Sequence, residues 1–207
     1  MKIGDYKSVD IIDFQIKEHS LLKSKQLTQK RKKLRLGDIK LIKNLFPNAI
    51  NVLCIGCRDD SEVQDFIDNG FNAIGIDISN NTKLIKNIDA HELNKHFNNI
   101  DVVYASHSLE HMYNPNIVMS HIKNITKQGI LILLPELTQE PTPKHPSVFE
   151  IMRIDKENMN IFKQPFDFKE IWSDFEPLAP FDILHGGFRE GVTEREVFVC
   201  LKLKEII

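Results

Sequence analysis

Asn51-Val-Leu-Cys-Ile-Gly-Cys57 is the stretch that decides the fold. A run of branched apolar residues ends abruptly at a glycine, and a polar segment, Arg58-Asp-Asp-Ser61, follows. This is the profile of a short parallel strand buried on both faces and giving way to a helix. Reading outward, Ser61 to Asn69 predicts that helix, with Val63, Phe66 and Ile67 on one face and Gly70 as its stop. Asn72 to Ile76 predicts a second strand, ending in Asp77. A weak helix is expected over 80–86, a short third strand at Ile88-Asp89, and a helix from Glu92 to Phe97. Asp101 to Ala105 is the fourth strand. Asn116 to Thr126 is a helix with Ile117, His121, Ile122 and Ile125 on one side, and Ile130 to Leu134 is a fifth strand stopped by Pro135. Five strand–helix units in a row imply an α/β fold with a mostly parallel sheet covered by helices on both faces. The order of the strands does not follow from the sequence.

The flanks read differently. Residues 8–46 are helical by period: Val9, Ile12 and Ile16, then Leu34, Ile39, Ile42 and Leu45, recur at three- and four-residue steps, with a basic polar cluster from Gln29 to Arg35 between the two sets. Pro47 and Asn48 close the region, so residues 1–48 are expected to form an N-terminal helical arm and residues 49–207 the main domain. Beyond the fifth strand, Pro135, Pro141, Pro143 and Pro146 fall in one long loop, the kind of connection that usually carries function. Phe168 to Phe175 predicts a helix. Phe181 to Leu184 and Val197 to Lys202, separated by Gly186-Gly187, predict two more strands as a closing antiparallel hairpin, seven strands in all.

The chain of 207 residues is long enough to bury a core without covalent staples. Its net charge of −2 gives no overall pull toward nucleic acid or acidic lipid. That total hides an asymmetry: residues 1–48 hold 12 Lys and Arg against 5 Asp and Glu, or +7, leaving −9 for the rest. The three cysteines, Cys54, Cys57 and Cys200, fit a reducing, cytoplasmic compartment better than a disulfide scaffold. Cys54 and Cys57 form a C-x-x-C with no second pair, so buried packing is expected and no metal. No secretory leader is visible, and the apolar run Ile130 to Leu134 is far too short to span a bilayer.

Ligands of open α/β sheets sit outside the carboxyl ends of the strands. Gly56, Asp77, Asp89 and the Ser106-His107 pair all fall there. A glycine after the first strand lets a ligand approach the backbone, and the following helix turns its amides toward an anion. Asp77, 21 residues on, is placed to accept from both ribose hydroxyls. The pair signals a nucleoside cofactor without separating NAD from S-adenosylmethionine.

The following segments separate them. Val52-Leu-Cys-Ile-Gly-Cys57, Gly75-Ile-Asp-Ile-Ser79, Asp89-Ala-His-Glu-Leu93, Asp101-Val-Val-Tyr-Ala-Ser-His-Ser-Leu-Glu-His111 with Asn114-Pro115, and Gly129-Ile-Leu-Ile-Leu133 occur in order. In this the chain resembles the class I, Rossmann-like, seven-strand methyltransferases that use S-adenosylmethionine, in particular the small bacterial type with a His-Ser-Leu-Glu-His segment. The resemblance is good over residues 50–135, loose over the last strands and slight over the arm. It implies that the loop at Cys54 and Gly56 holds the methionine part of the cofactor, Asp77 the ribose, and Ile78 one flank of the adenine. Asp89 would accept from the adenine amino group beside the Ala90 amide, and Ser106 and His107 would line the floor near the reactive methyl. The loop departs from the family where an acid is missing near Cys54 and where Arg58 and Asp60 replace glycines. Arg58 is expected to turn toward the methionine carboxylate.

Methyl transfer chiefly needs alignment, plus a base when the acceptor is a hydroxyl or a protonated nitrogen. His107 is the expected base, with His145 and His185 bordering the acceptor. Loop 136–150 and the N-terminal helices are expected to choose a small-molecule or carrier- or sugar-linked acceptor. The arm's Lys23, Lys25, Lys30, Arg31, Lys32, Lys33 and Arg35 admit a nucleic-acid partner, but without interleaved aromatics a solvated helix face is the favoured reading. His107-Ser-Leu-Glu-His111 also matches the H-x-x-E-H zinc pattern, which needs one helix presenting both histidines; here the segment leaves a strand. Two other functions compete: a catalytically inactive partner of the same fold, and an NAD enzyme, which lacks the second and third glycines of its fingerprint.

Overall fold

Seven strands form one sheet: β1 (Asn51–Ile55), β2 (Asn72–Asp77), β3 (Ile85–Asn87), β4 (Ile100–Ser106), β5 (Thr126–Pro135), β6 (Phe181–Glu190) and β7 (Arg195–Leu203). The structure is a computed structural model describing residues 2–3, 13, 16–17, 27–135, 147–148, 181–191 and 195–204. The strand order is β3-β2-β1-β4-β5-β7-β6. The first five strands are parallel, and β7 pairs antiparallel with both β5 and β6. The chain begins at the centre, runs out to β3, then returns across β1 to β4. That reversal makes a topological switch point between the carboxyl ends of β1 and β4.

Alternation along each strand builds two cores. Leu53, Ile55, Val103, Ala105, Ile130, Ile132 and Leu134 face α3 (Leu93–His96) and α4 (Pro115–Ile125). Val52, Cys54, Val102, Tyr104, Leu131 and Leu133 face α1 (Leu27–Leu45) and α2 (Asp60–Asp68). Successive side chains of a strand point to opposite faces, so strands covered on both sides must be apolar throughout. β4 has six consecutive buried residues, Ile100 to Ala105, and its one charged member, Asp101, accepts through Oδ2 from the Ile50 and Asn51 amides.

α1 is one continuous helix through the basic cluster, and it packs into the sheet. Its buried face reads Arg35, Asp38, Ile39, Ile42 and, just beyond its end, Phe46. These positions recur at the three- and four-residue steps of one helical stripe. The apolar members enter the second core. Arg35 instead pairs with Asp65 of α2, its Nε 2.8 Å from Oδ2, and Lys32 reaches Asp65 Oδ1 at 3.3 Å. Arg35 is therefore no part of a solvated cationic face.

Local differences from the sequence reading have physical causes. The expected helix over 80–86 is a turn followed by β3: Thr82 Oγ1 accepts from the amides of Leu84 and Ile85, and the Gly75 amide donates to Leu84 O, drawing the segment onto the sheet edge. The third strand consequently ends at Asn87, and Asp89 caps the 3₁₀ turn Ala90–Glu92. α4 buries Val118, Met119, Ile122 and Ile125 and leaves Ile117 40% exposed, a face rotated by one residue from the expected one. β6 continues through Gly186-Gly187, which pair with Val199 and Phe198 of β7, after a register shift between Ile183 and His185. The expected helix Phe168 to Phe175 lies outside the described residues. Lys2–Ile3 and Ser147–Val148 pair as a separate two-strand ribbon.

Two glycines are expected to respond oppositely to alanine. A Cβ at Gly129 of β5 would lie 2.1 Å from Leu201 O and 2.5 Å from Phe46 Cζ, so Gly129→Ala should cost about 2 kcal/mol or more in urea unfolding. Gly37, inside α1 with nothing within 4 Å of its would-be Cβ, should gain about 0.5–1 kcal/mol on the same change.

Candidate active site

The carboxyl ends of β1 to β3 are tied to one another by backbone contacts. The amides of Gly56 and Cys57 both donate to Ile76 O, at 2.9 and 3.1 Å, and the Ile88 amide donates to Asp77 O at 3.2 Å. Gly56 holds φ 77°, and a Cβ there would lie 2.6 Å from Ser108 Cβ. What comes close to the Gly56 backbone is thus the segment after β4. The glycine closes the floor of the switch-point crevice, and its own amide is committed to Ile76. The start of α2 is likewise occupied: Asp59 is the N-cap, accepting from the Ser61 amide at 2.9 Å, with Asp60 and Glu62 in the first turn. One of the α2 amides, that of Ser61, is thus taken by the chain's own Asp59 carboxylate.

The two acids expected to hold a nucleoside stand at this end, and both also shape turns. Buried Asp77 accepts through Oδ1 from the Ser79 amide at 2.7 Å and the Ser79 hydroxyl at 2.6 Å. Asp89 Oδ1 accepts from the His91 amide at 2.9 Å and faces His91 Nδ1 at 2.6 Å. Although burial pushes the Asp89 carboxyl up, the His91 hydrogen bonds outweigh it and hold the group below its ordinary range. His91 Nε2 accepts from the Asn114 amide at 3.2 Å, so its proton sits on Nδ1, and its ring stacks on Tyr113 with centroids 3.6 Å apart. This clamp joins the segment after β3 to the start of α4. Ile78 is half-buried with its carbonyl held by Asn87 at 2.7 Å, and Ala90 is buried.

β4 delivers Ser106 and His107 to the centre of the crevice. His107 has φ 50°, the left-handed region that costs a side-chain-bearing residue about 1–2 kcal/mol. Three contacts help to hold it there. Its amide donates to Leu133 O at 2.9 Å, its Nε2 lies 2.5 Å from Glu196 Oε2, and its Nδ1 lies 3.7 Å from Glu110 Oε1. Glu196 Oε1 accepts from Arg189 Nε at 2.7 Å. The same guanidinium bonds Asp38 of α1, whose Oδ2 also accepts from the Tyr104 hydroxyl at 2.9 Å.

Comparison with known proteins now bears on this geometry. A methyltransferase-domain family matches residues 26–182 of the 207. The chain belongs to that methyltransferase family. No curated protein matches it by sequence. Among solved structures, the 1,6-didemethyltoxoflavin-N1-methyltransferase of Burkholderia thailandensis, with its substrate and S-adenosylhomocysteine bound, superposes with a TM-score of 0.67 at 9% identity, over 99% of this chain and 94% of that one. The N-methyltransferase NodS of Bradyrhizobium japonicum, in complex with S-adenosylhomocysteine, gives 0.58 at 10% identity over 95% and 100%. The magnesium protoporphyrin IX methyltransferase of Synechocystis PCC 6803, with the same bound ligand, gives 0.54 at 12% over 93% and 94%. At these identities the likeness is one of fold, and it extends across α1.

Not every residue singled out in the sequence reaches the crevice of this methyltransferase domain. Cys54 takes its side chain into the α1–α2 core, because alternation along β1 puts it on the same face as Val52. His185 is exposed on the edge strand, tilted against Phe198 with centroids 5.5 Å apart. Since β6 continues to Glu190, His185 lies four residues, about 13 Å, back from Arg189 along the strand. His145 lies outside the described residues. Conversely, the sequence reading missed Asp38, Tyr104, Arg189 and Glu196. Two of them left a trace: Asp38 falls on the stripe of Ile39 and Ile42, and Glu196 has the parity of Phe198 and Cys200. A charge at a core-facing position is the signal of a buried pair.

The motifs that suggest metals resolve differently. His107 ends β4 and His111 closes the short turn Leu109–His111, so no helix presents the two together; buried Glu110 sits between them, 3.7 and 3.8 Å away. Cys54, Cys57 and Glu62 bring donor atoms within 4.8 Å of one another. There the Cys57 thiol has Cys54 O and Glu62 Oε1 as acceptors, each at 3.3 Å, and burial pushes both thiols up. A depression of about 430 Å³ lined by Asn51, Asn72, Asn98 and Asn99 opens at the opposite, amino end of the strands, remote from the crevice.

Burial, opposed by Arg35 and the Cys57 thiol, raises the Glu62 carboxyl to about 7. The folded chain then binds a proton that the unfolded chain has released above its ordinary carboxyl pKa, so this group's contribution to stability falls as pH rises from about 4.5 to about 7. Glu62→Gln keeps an acceptor for the thiol without the titration. Urea unfolding should find the variant close to the unsubstituted protein at pH 5 and more stable by on the order of 1 kcal/mol at pH 8, a figure discounted for the partial exposure of Glu62.

Proposed function

We propose that the protein transfers a methyl group from S-adenosylmethionine to a small-molecule or carrier- or sugar-linked acceptor. The observation that supports this most is the switch-point crevice, where Asp77 ends β2, Asp89 follows β3 and His107 follows β4 at the carboxyl end of one parallel sheet. The residues present suit the cofactor. Ser108 Oγ is buried beside Gly56 with no hydrogen-bond partner among the described residues, a polar atom on the crevice floor for which a polar ligand is the natural match. A carboxylate has about four lone-pair sites, so turn duty at one oxygen of Asp77 or Asp89 is compatible with binding ribose or adenine.

In this reading Asp77 holds the ribose hydroxyls, Asp89 and the Ala90 amide the adenine edge, and Ile78 its face. Asp59 already takes the Ser61 amide at the start of α2, and Arg58 in the same loop is the cation that answers a ligand carboxylate. The cofactor supplies an electrophilic methyl group. Ser106 and His107 align the acceptor with it, and His107 is the base where the acceptor atom carries a proton.

A second reading, a partner subunit of the same fold without catalysis, draws support from one observation. Asp59 and Asp60 place two acids at the α2 start, where the ligand carboxylate would approach. Calorimetric titration with S-adenosylmethionine and S-adenosylhomocysteine separates the two. Micromolar binding is expected, weakened about 10- to 100-fold in Asp77→Ala and about 10-fold in Arg58→Ala. A folded protein that binds neither ligand leaves only the partner-subunit reading.

A further inference from the structure

The chain of contacts from α1 to His107 is not accounted for by cofactor binding. Four polar groups from four elements meet in sequence: Asp38 of α1, Arg189 of β6, Glu196 of β7 and His107 at the end of β4. Asp38 and Glu196 are each 2% exposed, whereas the His107 side chain is 35% exposed toward the crevice end of the sheet. Three largely buried groups thus terminate in one accessible imidazole, itself held in a backbone conformation that few residues with side chains adopt.

We propose that Glu196 is a positioning residue that fixes His107 as a general base acting through Nδ1, and hence that the acceptor atom carries a removable proton, as in a hydroxyl or a protonated amine. This rests on the methyltransferase reading above. Burial raises the Glu196 carboxyl, but His107 and Arg189 together outweigh that and hold it below its ordinary range, so it is an ionised, accept-only partner. His107 Nε2 must then donate, which leaves the lone pair of the neutral ring on Nδ1. Arg189 fixes Glu196 from its other oxygen, and Asp38, itself anchored by Tyr104, fixes Arg189.

Among the groups facing the ring are Glu196 from β7 and Glu110 from the turn after β4, with Arg189 and Asp38 behind Glu196. The acceptor's proton would pass to Nδ1, before attack for an ammonium, whose nitrogen has no lone pair until then, and in concert with attack for a hydroxyl. The acceptor's lone pair would form the bond to the methyl carbon as the methyl–sulfur bond breaks, its electrons going to sulfur. The imidazolium so formed lies between two carboxylates, and Glu110 Oε1, 3.7 Å from Nδ1, faces the nitrogen that has gained the proton. A hydroxyl or ammonium acceptor gains from this arrangement. A thiolate or a neutral amine has no need of it.

The test observes the ring directly. In full-length protein with ¹⁵N-labelled histidine, long-range ¹H–¹⁵N spectra, with His107 assigned by its loss in His107→Asn, should show the neutral ring protonated on Nε2. In Glu196→Gln the amide oxygen stays with Arg189 and its NH₂ faces the ring, so Nε2 must accept. The tautomer should reverse, and the titration midpoint of His107 should fall by about one pH unit or more. Glu196→Asp should restore the Nε2–H tautomer. If Glu196→Gln does not fold, Glu196→Asp carries the test alone through a lowered midpoint, its carboxylate being one methylene further from the ring.

An unchanged tautomer and midpoint, in protein that binds S-adenosylhomocysteine, overturns this proposal alone. Reversal in protein that binds neither cofactor form overturns the methyltransferase reading and the proposal with it. With S-adenosylmethionine and a panel of hydroxyl and amine compounds, release of S-adenosylhomocysteine should fall about 100-fold in His107→Asn. An acceptor turned over equally by both proteins would overturn the base role.

Discussion

One guanidinium holds the functional half of the molecule together. Arg189 lies between two carboxylates from opposite ends of the chain, Asp38 on the first long helix and Glu196 on the last strand. Neither acid is tolerable there alone. Burial pushes the Asp38 carboxyl upward even against Arg189, while Glu196, with a histidine as well as the arginine, is held down. Removing one partner of such a buried group typically costs about 3–5 kcal/mol, because the other charge is left in a poor solvent. The cluster therefore fixes where α1 lies on the sheet and how the β6–β7 hairpin closes it. Its outermost member is the histidine of the crevice.

A second charged contact, Arg35 with Asp65, ties α1 to α2 one turn earlier on the same stripe. Between them the two pairs turn a strongly basic segment into an integral layer of the fold. The family match begins at residue 26, just before α1. The cations left exposed on α1 are those its packed face does not use.

The crevice is economical with its polar groups. Asp77 and Asp89 each close a turn through one oxygen, His91 links two loops through both ring nitrogens, and Gly56 spends its amide on Ile76. Groups that serve as scaffold in this way are pre-set before a ligand arrives, which lowers the cost of ordering them on binding. The loop that departs most from the family pattern, Gly56 to Asp60, is also where the chain supplies its own anions to the helix start.

The sequence by itself determined the parts governed by local pattern. The central strands at 51–55, 72–77 and 100–106 and the α2 and α4 helices follow from apolar runs and period, and the residues at the carboxyl ends of those strands follow from their position. The third strand escaped because edge pairing with β2 outweighed a weak helical preference. Strand order, the path of β6 through its two glycines and the integration of α1 were decided only by tertiary structure. So was the Asp38–Arg189–Glu196–His107 chain, whose members lie up to 158 positions apart (196 minus 38). Periodicity reports which face of an element is apolar. It is silent on which distant charge will meet another, because that depends on desolvation and geometry that exist only once the layers have packed.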